Sequence, residues 1–139
     1  MAETRKSGKY DNMIYRRISM SSKPSKIRKK LFTSPPHIKS KLISSHLSEE
    51  LRSKYDVRSF RLRKDDVVKV VRGEYKGIEG KVTGIDIKTG RIMVDGITRE
   101  KIAGGTTPVK IHPSKVIILK LNLDDKWRKE KIEAHVKEA

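Results

Sequence analysis

Four histidines, two adjacent aspartate pairs and thirty-four Lys and Arg residues are the groups with chemistry to offer in this 139-residue chain. His37, His46, His112 and His135 are scattered, with no pair at i, i+4 and no cysteine to join them, so a zinc site lacks its ligands. Asp65-Asp66 and Asp124-Asp125 are neighbours in sequence. Adjacent side chains in an extended segment point to opposite faces, and at a helix start they act as caps, so general acid–base pairing is not expected. Neither a GxxxxGK[ST] phosphate loop nor a GxSxG elbow occurs. No catalytic residue, metal ligand or cofactor is therefore expected. The chemistry left is that of the cations, which bind polyanions.

Lys and Arg number 34 against 17 Asp and Glu, a net charge of +17 with a pI near 10.2. Such an excess bears on partners rather than fold, with nucleic acid first and anionic membrane second. No apolar run approaches the roughly 20 residues of a spanning helix, and no early stretch has the apolar core of a secretory signal. Membrane insertion is not expected. The absence of cysteine fits a reducing compartment.

The charge is unevenly placed. Residues 1–64 hold 18 basic and 5 acidic residues, net +13; residues 65–121 hold 11 and 7, net +4; residues 122–139 hold 5 and 5. From Asn12 to Ser48 there are nine Lys and Arg and no acid, among nine serines with Pro24, Pro35 and Pro36. A one-sign segment repels itself unless it lies in water or against a polyanion, and its prolines forbid one continuous helix. Residues 1–46 are expected to form an extended basic arm.

Residues 47–64 read as a short helix and a basic connector. Ser48 is the expected N-cap, with Glu49 and Glu50 in the first turn and Leu47, Leu51 and Tyr55 on one apolar face. This helix is expected to pack on the following module and do nothing else. Residues 65–121 carry short strands: Val67–Val71, Lys81–Ile85, Arg91–Val94, Val109–Ile111 and Val116–Leu119, with turns at Arg72–Gly77, Lys88–Gly90 and Gly104–Thr107. Short strands at this spacing with no helix between them predict a small closed or nearly closed barrel. Residues 122–139 read as a solvated helical tail, capped by Asp124 or Asp125, with Leu123, Trp127, Ile132 and Val136 as its apolar face.

Asp66-Val67-Val68-Lys69-Val70-Val71-Arg72-Gly73-Glu74-Tyr75-Lys76-Gly77, continuing to Gly80-Lys81-Val82, resembles the KOW motif of SH3-like barrels. Gly77 and Gly80 permit a tight turn with positive φ or a close backbone approach, and Lys76 and Lys81 stand beside that open backbone. Further matches stand in one order: Ser34–Ile38, Leu47–Tyr55, Val57–Ser59, Arg63–Asp66 and Ile111–Val116. Together they resemble the archaeal and eukaryotic form of the universal large-subunit ribosomal protein family numbered twenty-four. The likeness runs from about Ser21 to about Leu123. Residues 1–12 have no counterpart in it, and the charge-neutral tail departs from the basic tails of many relatives.

The resemblance implies a mainly β fold: a KOW, SH3-like barrel behind a long basic N-terminal arm and a short helix, with a C-terminal helical tail. It implies a structural constituent of the large subunit that binds rRNA early in assembly, near the polypeptide exit tunnel. The expected partners are large-subunit rRNA and neighbouring large-subunit ribosomal proteins, in cytoplasmic ribosomes, with nucleolar assembly if the source is eukaryotic. No homo-oligomer is expected.

The expected RNA-binding residues fall in three groups. In the arm they are Lys23, Lys26, Arg28, Lys29, Lys30, Phe32, His37, Lys39 and Lys41. In the connector they are Arg58, Arg61, Arg63 and Lys64, and in the barrel Arg72, Lys76, Lys81, His112 and Lys115. Gly73, Gly77 and Gly80 are the structural turn residues. The cations neutralise phosphates and release counterions, while Phe32 and His37 are candidates to stack on unpaired bases. His37 has a second reading as part of a local turn beside Pro35-Pro36, and any one lysine has a second reading as solvated surface. The rival function is a KOW protein-interaction module of a transcription or RNA-processing factor. That reading expects several domains and a mixed-charge approach to the barrel, whereas here one barrel follows an acid-free arm.

Overall fold

In the computed structural model, which describes residues 23–138, the chain divides between Pro35 and Pro36 into two units. The part of the expected arm before residue 23 lies outside the described residues. The first unit contributes helix α1, Pro24–Thr33. Pro24 stands at its first turn, where the missing N–H is no loss. Lys, Arg and Leu then propagate it, and Ser34, extended with ψ 140, ends it ahead of Pro35. Pro36 likewise opens helix α2, Pro36–Leu42, in the second unit. Between residues 24 and 42 the chain is thus helical rather than extended, because its prolines sit at helix starts. They do break it into two.

The second unit is built on one seven-stranded sheet in the order β2-β1-β7-β3-β4-β5-β6. Its strands are β1 (Ser44–Leu47), β2 (Ser59–Arg61), β3 (Val67–Val70), β4 (Glu79–Asp86), β5 (Arg91–Glu100), β6 (Thr106–Ile111) and β7 (Val116–Lys120). All neighbours are antiparallel except β1 and β7. Phe60 on one edge strand and Ile111 on the other belong to one buried apolar cluster, so the sheet curls around a single core. Shifts of register between Val67 and Val68, Val82 and Gly84, and Met93 and Thr98 supply the bends that such curling needs. The result is a small, mainly β, barrel-like domain.

Strands β3 to β7 match the expected ones, with β4, β5 and β6 longer. Strands β1 and β2 were not expected, and they correct the boundary of the arm. Ile43 and Leu47 are buried in the core, so residues 43–46 belong to the barrel. Leu47 ends β1 instead of opening the helix. Ser45 also points inward, where its hydroxyl donates to the Val116 carbonyl.

Helix α3, Glu49–Tyr55, fits its expected range closely. The Ser48 Oγ accepts from the Leu51 N–H at 3.4 Å. Asp56, left-handed at φ 51, closes the far end through its N–H to the Arg52 carbonyl. Leu51 and Tyr55 lie against the core.

Helix α4, Lys126–Glu138, is capped by Asp125, whose Oδ1 accepts from the Trp127 N–H at 3.2 Å. Its buried face differs from the expected one. Ile132 is buried and Leu123 packs on the core, but Trp127 is 79% exposed and Arg128 is 4% exposed. Arg128 and Ile132 are four residues apart and so share a face, which turns Trp127 outward. Val136 lies outside the described side chains. The tail is therefore part of the domain, held by a buried cation that its sequence does not advertise.

Candidate nucleic-acid interface

Helix α1 sorts its side chains into faces. At about 100° per residue, Lys26, Lys29 and Lys30 fall within an arc of roughly 100°, Arg28 and Phe32 share a second face, and Ile27 and Leu31 a third. Phe32 is 79% exposed. No acidic residue lies in the first turn of α1, and none of its Lys or Arg side chains forms an ion pair with a described acid. Lys23 stands at the N-cap position, without a side-chain capping bond from its own residue. Near the far end the Thr33 hydroxyl donates to the Lys29 carbonyl at 2.8 Å and the Ser34 hydroxyl to that of Lys30.

In α2 the structure brings His37 and Lys41 together. They are four residues apart, both exposed, and so lie on one face. Lys39 is half-buried and turned away from them. The Ser40 hydroxyl donates to the His37 carbonyl at 3.0 Å.

The connector alternates strictly. Phe60 and Leu62 are buried while Arg61 and Arg63 are exposed, so the two arginines project from one face, their Cα atoms roughly 7 Å apart along an extended chain. Burial, and then the charge of Arg63, lower the Arg61 pKa from its ordinary value. An anion placed between these groups would relieve that repulsion. Arg63 pairs with Asp125, both partly exposed, which in solvent contributes little. Lys64 is exposed in the following turn, and Arg58 precedes β2, its carbonyl accepting from the Leu47 N–H at 3.1 Å. Arg61, Arg63 and Lys64 line a cleft of about 490 Å³ together with Asn122, Asp124 and Asp125.

Two elements meet at the glycine turn. Gly73 and Gly77 have φ of +104° and +93°, values that L side chains rarely adopt. The Gly77 N–H donates to the Val70 carbonyl at 2.8 Å and holds the loop bearing Arg72 and Lys76. The Val71 N–H donates to the Lys115 carbonyl at 2.9 Å, which brings the 3-10 turn Pro113–Lys115 beside that loop. Arg72, Lys76, His112 and Lys115 are thus collected at one end of the sheet, all exposed. His112 has a structural part as well. Its Nδ1 accepts from the Ser114 N–H at 3.2 Å and lies 2.7 Å from the Ser114 hydroxyl, which closes the turn.

Gly80 serves the other purpose expected of a glycine. A Cβ there would stand 2.6 Å from the Asp95 carbonyl oxygen, so β4 and β5 approach more closely than any side chain permits. Lys81 is not beside Lys76. It pairs across the sheet with Val67, whose other neighbour is Lys120. Cross-strand partners share a face, so Lys81 and Lys120 form a separate cationic row roughly 10 Å wide, two strand spacings. Lys120 was not among the expected residues, although a lysine ending the apolar run Val116–Leu119 was its signal.

Asp65 and Asp66 part company. Asp65 is exposed at φ 67, and Asp66 is completely buried against Arg128. Among the described residues no three His, Cys, Asp or Glu side chains gather as metal ligands, and no helix is long and apolar enough to cross a membrane.

Comparison with known proteins matches residues 21–135 to the family model described as ribosomal proteins L26 of eukaryotes and L24P of archaea. The chain is 53% identical over 113 residues to the large ribosomal subunit protein uL24 of Korarchaeum cryptofilum, covering 81% of this chain and 86% of that protein. It is 47% identical over 114 residues to the uL24 of Saccharolobus solfataricus, covering 82% and 96%. With the uL24 of Methanosphaera stadtmanae it shares 41% identity over 117 residues, covering 84% and 100%.

Proposed function

We propose that this chain, which belongs to the family of eukaryotic L26 and archaeal L24P ribosomal proteins, is a structural constituent of the large ribosomal subunit that works by gripping rRNA. The observation that carries the grip is the exposure of its cations, all but the half-buried Lys30, in separate groups. They are the lysine face of α1, the Arg61–Lys64 connector, the Arg72–Lys76–Lys115 end of the sheet and the Lys81–Lys120 row. Most of these side chains make no ion pair with a described acid, which leaves their charge for phosphate.

Duplex RNA hides its base edges in a deep major groove, so such groups read shape and backbone more than sequence. Phe32 and His37 supply the stacking surfaces for unpaired bases. Early entry into subunit assembly, a place near the polypeptide exit tunnel and contacts with neighbouring large-subunit proteins complete the proposal, and they rest on the family resemblance. The role is that of a scaffold, monomeric until it binds, in cytoplasmic ribosomes.

Fractionation tests this reading. The protein should remain in the large-subunit peak after a high-salt wash, while the Lys26, Lys29, Lys30, Arg61 and Arg63 alanine variant should wash off. A wild-type protein recovered mainly free of subunits would refute it.

A further inference from the structure

The tail has no net charge, yet one of its residues reaches into the barrel. The carboxylate of Asp66 accepts from Arg128 at both oxygens, 2.7 Å from Nη1 and 2.7 Å from Nη2. Its Oδ2 also accepts from the Arg63 N–H at 2.8 Å, and its Oδ1 from the Asn122 N–H at 2.9 Å. Arg128 in turn donates to the carbonyls of Arg61 at 3.1 Å and of Asn122 at 2.7 Å, and its guanidinium lies 5.4 Å from the centre of the Phe60 ring. The pair therefore seizes the connector on both sides of buried Leu62, by the carbonyl of Arg61 and the amide of Arg63. It seizes Asn122 by both of its backbone groups.

Stability alone does not ask for this arrangement. Replacing a buried ion pair by packed apolar groups is often neutral or stabilising, whereas removing one partner is strongly destabilising. Here the Arg128 Nε is buried with no hydrogen-bond partner among the described residues, a further cost that an apolar pair would avoid. What an apolar pair cannot do is hold four backbone groups in place. The segment so held carries Arg61 and Arg63, two of the expected phosphate ligands, on its outward face.

We infer that Asp66 and Arg128 are positioning residues for RNA binding. The buried pair fixes the backbone of residues 61–63 so that Arg61, Arg63 and Lys64 are presented as one preformed phosphate-binding group, and this makes the tail, which has no net charge, a determinant of affinity. The inference rests on the rRNA-binding reading above and adds to it a requirement that no charge count contains.

The test is a full-length Asp66→Leu/Arg128→Met variant, which leaves the net charge at +17 because one charge of each sign is removed. Binding to transcribed large-subunit rRNA is measured over a salt series, with a thermal melt of each protein. A Lys129→Met/Glu133→Leu variant, which removes an exposed pair from the same helix, is the control of equal charge. An Arg61→Ala/Arg63→Ala variant tests the underlying reading.

The buried-pair variant is expected to melt cooperatively and to bind at least tenfold more weakly. Its slope of log K against log salt should be shallower by roughly 1.4–1.8, two contacts at about 0.7–0.9 each. The control should match wild type. Wild-type affinity and slope in the buried-pair variant, beside a weakened Arg61→Ala/Arg63→Ala variant, would overturn the inference and leave the RNA reading standing. If both variants bind like wild type, the connector is no RNA contact and the two readings fall together. Should the double variant not melt cooperatively, Arg128→Lys decides. It keeps the buried charge but loses the second arm, so it should fold and bind several-fold more weakly, and wild-type binding by it would overturn the inference.

Discussion

Replacing Lys26, Lys29 and Lys30 together by alanine should weaken rRNA binding and flatten its salt dependence by an amount that the helix geometry sets. These three side chains occupy one face of α1, and Arg28 lies on another with Phe32. A helix laid along a single phosphate backbone thus engages three cations, not four. Each lost contact removes roughly 0.7–0.9 from the slope of log K against log salt, so the triple variant should lose roughly 2.1–2.7. Alanine is the best helix former, so the loss is not one of helix.

Arg28→Ala alone should change the slope by less than one contact, unless a second strand lies on its face. The assay is filter binding or anisotropy with large-subunit rRNA between low and moderate salt, alongside a thermal melt. The melt should not move, because α1 lies in the unit before Pro36 and contributes no residue to the core. An unchanged slope in the triple variant would refute the argument, since these lysines would then be merely solvated. Equal effects from Arg28 and from each lysine would refute the facial assignment while leaving the helix as a contact.

Other perturbations test the fold that presents these groups. Gly80→Ala drives a methyl group to 2.6 Å from a backbone carbonyl that cannot swing away. It should cost about 1–3 kcal/mol, read in a melt as a drop of roughly 4–8 °C per kcal/mol. Asp86 is held down to a pKa of about 2 by hydrogen bonds from the Lys110 and Thr89 side chains and the Thr89 amide. A depressed carboxylate contributes stability that is full above its ordinary value of 3.8 and is lost as the pH falls through about 2. NMR titration of its side-chain carbonyl should show that low midpoint, and Lys110→Met should raise it. A chain beginning at Leu47 removes Ile43 and most of β1, so it should lose about 1.5–3 kcal/mol relative to one beginning at Pro36. Equal melts would refute the boundary between the two units.

The parts of this molecule that local rules govern were legible. Ser48 caps α3, Gly77 takes a positive φ, Gly80 admits a close approach, and the β-branched runs of the KOW motif form strands, because each depends on a few neighbours in sequence. Strands β1 and β2 depend on distant ones. Ser44-Ser45-His46-Leu47 has little intrinsic preference for a strand. It becomes one because β2 and β7 flank it, and because the Ser45 hydroxyl finds the Val116 carbonyl 71 residues away. Trp127 misled for the same reason. Taken alone it is the largest apolar residue of its helix, but the core offers Asp66, and a buried carboxylate calls for a cation.

That last point separates the two kinds of basic residue in the chain. A cation bound for RNA must stay exposed and uncommitted until the phosphate arrives, so its signal lies in composition: clusters of one sign, with no acid near. Arg128 sits in a segment with equal numbers of basic and acidic residues and looks like any solvated helix residue, while its partner Asp66 is 62 residues away in sequence. Nothing in the spacing of either residue announces the other. The charge count therefore finds where the RNA is gripped and misses what holds the grip in shape. The Arg61–Lys64 connector needs both, because its outward cations alternate with a buried Phe60 and Leu62, and its backbone is tied by the one ion pair that the core encloses among the described residues.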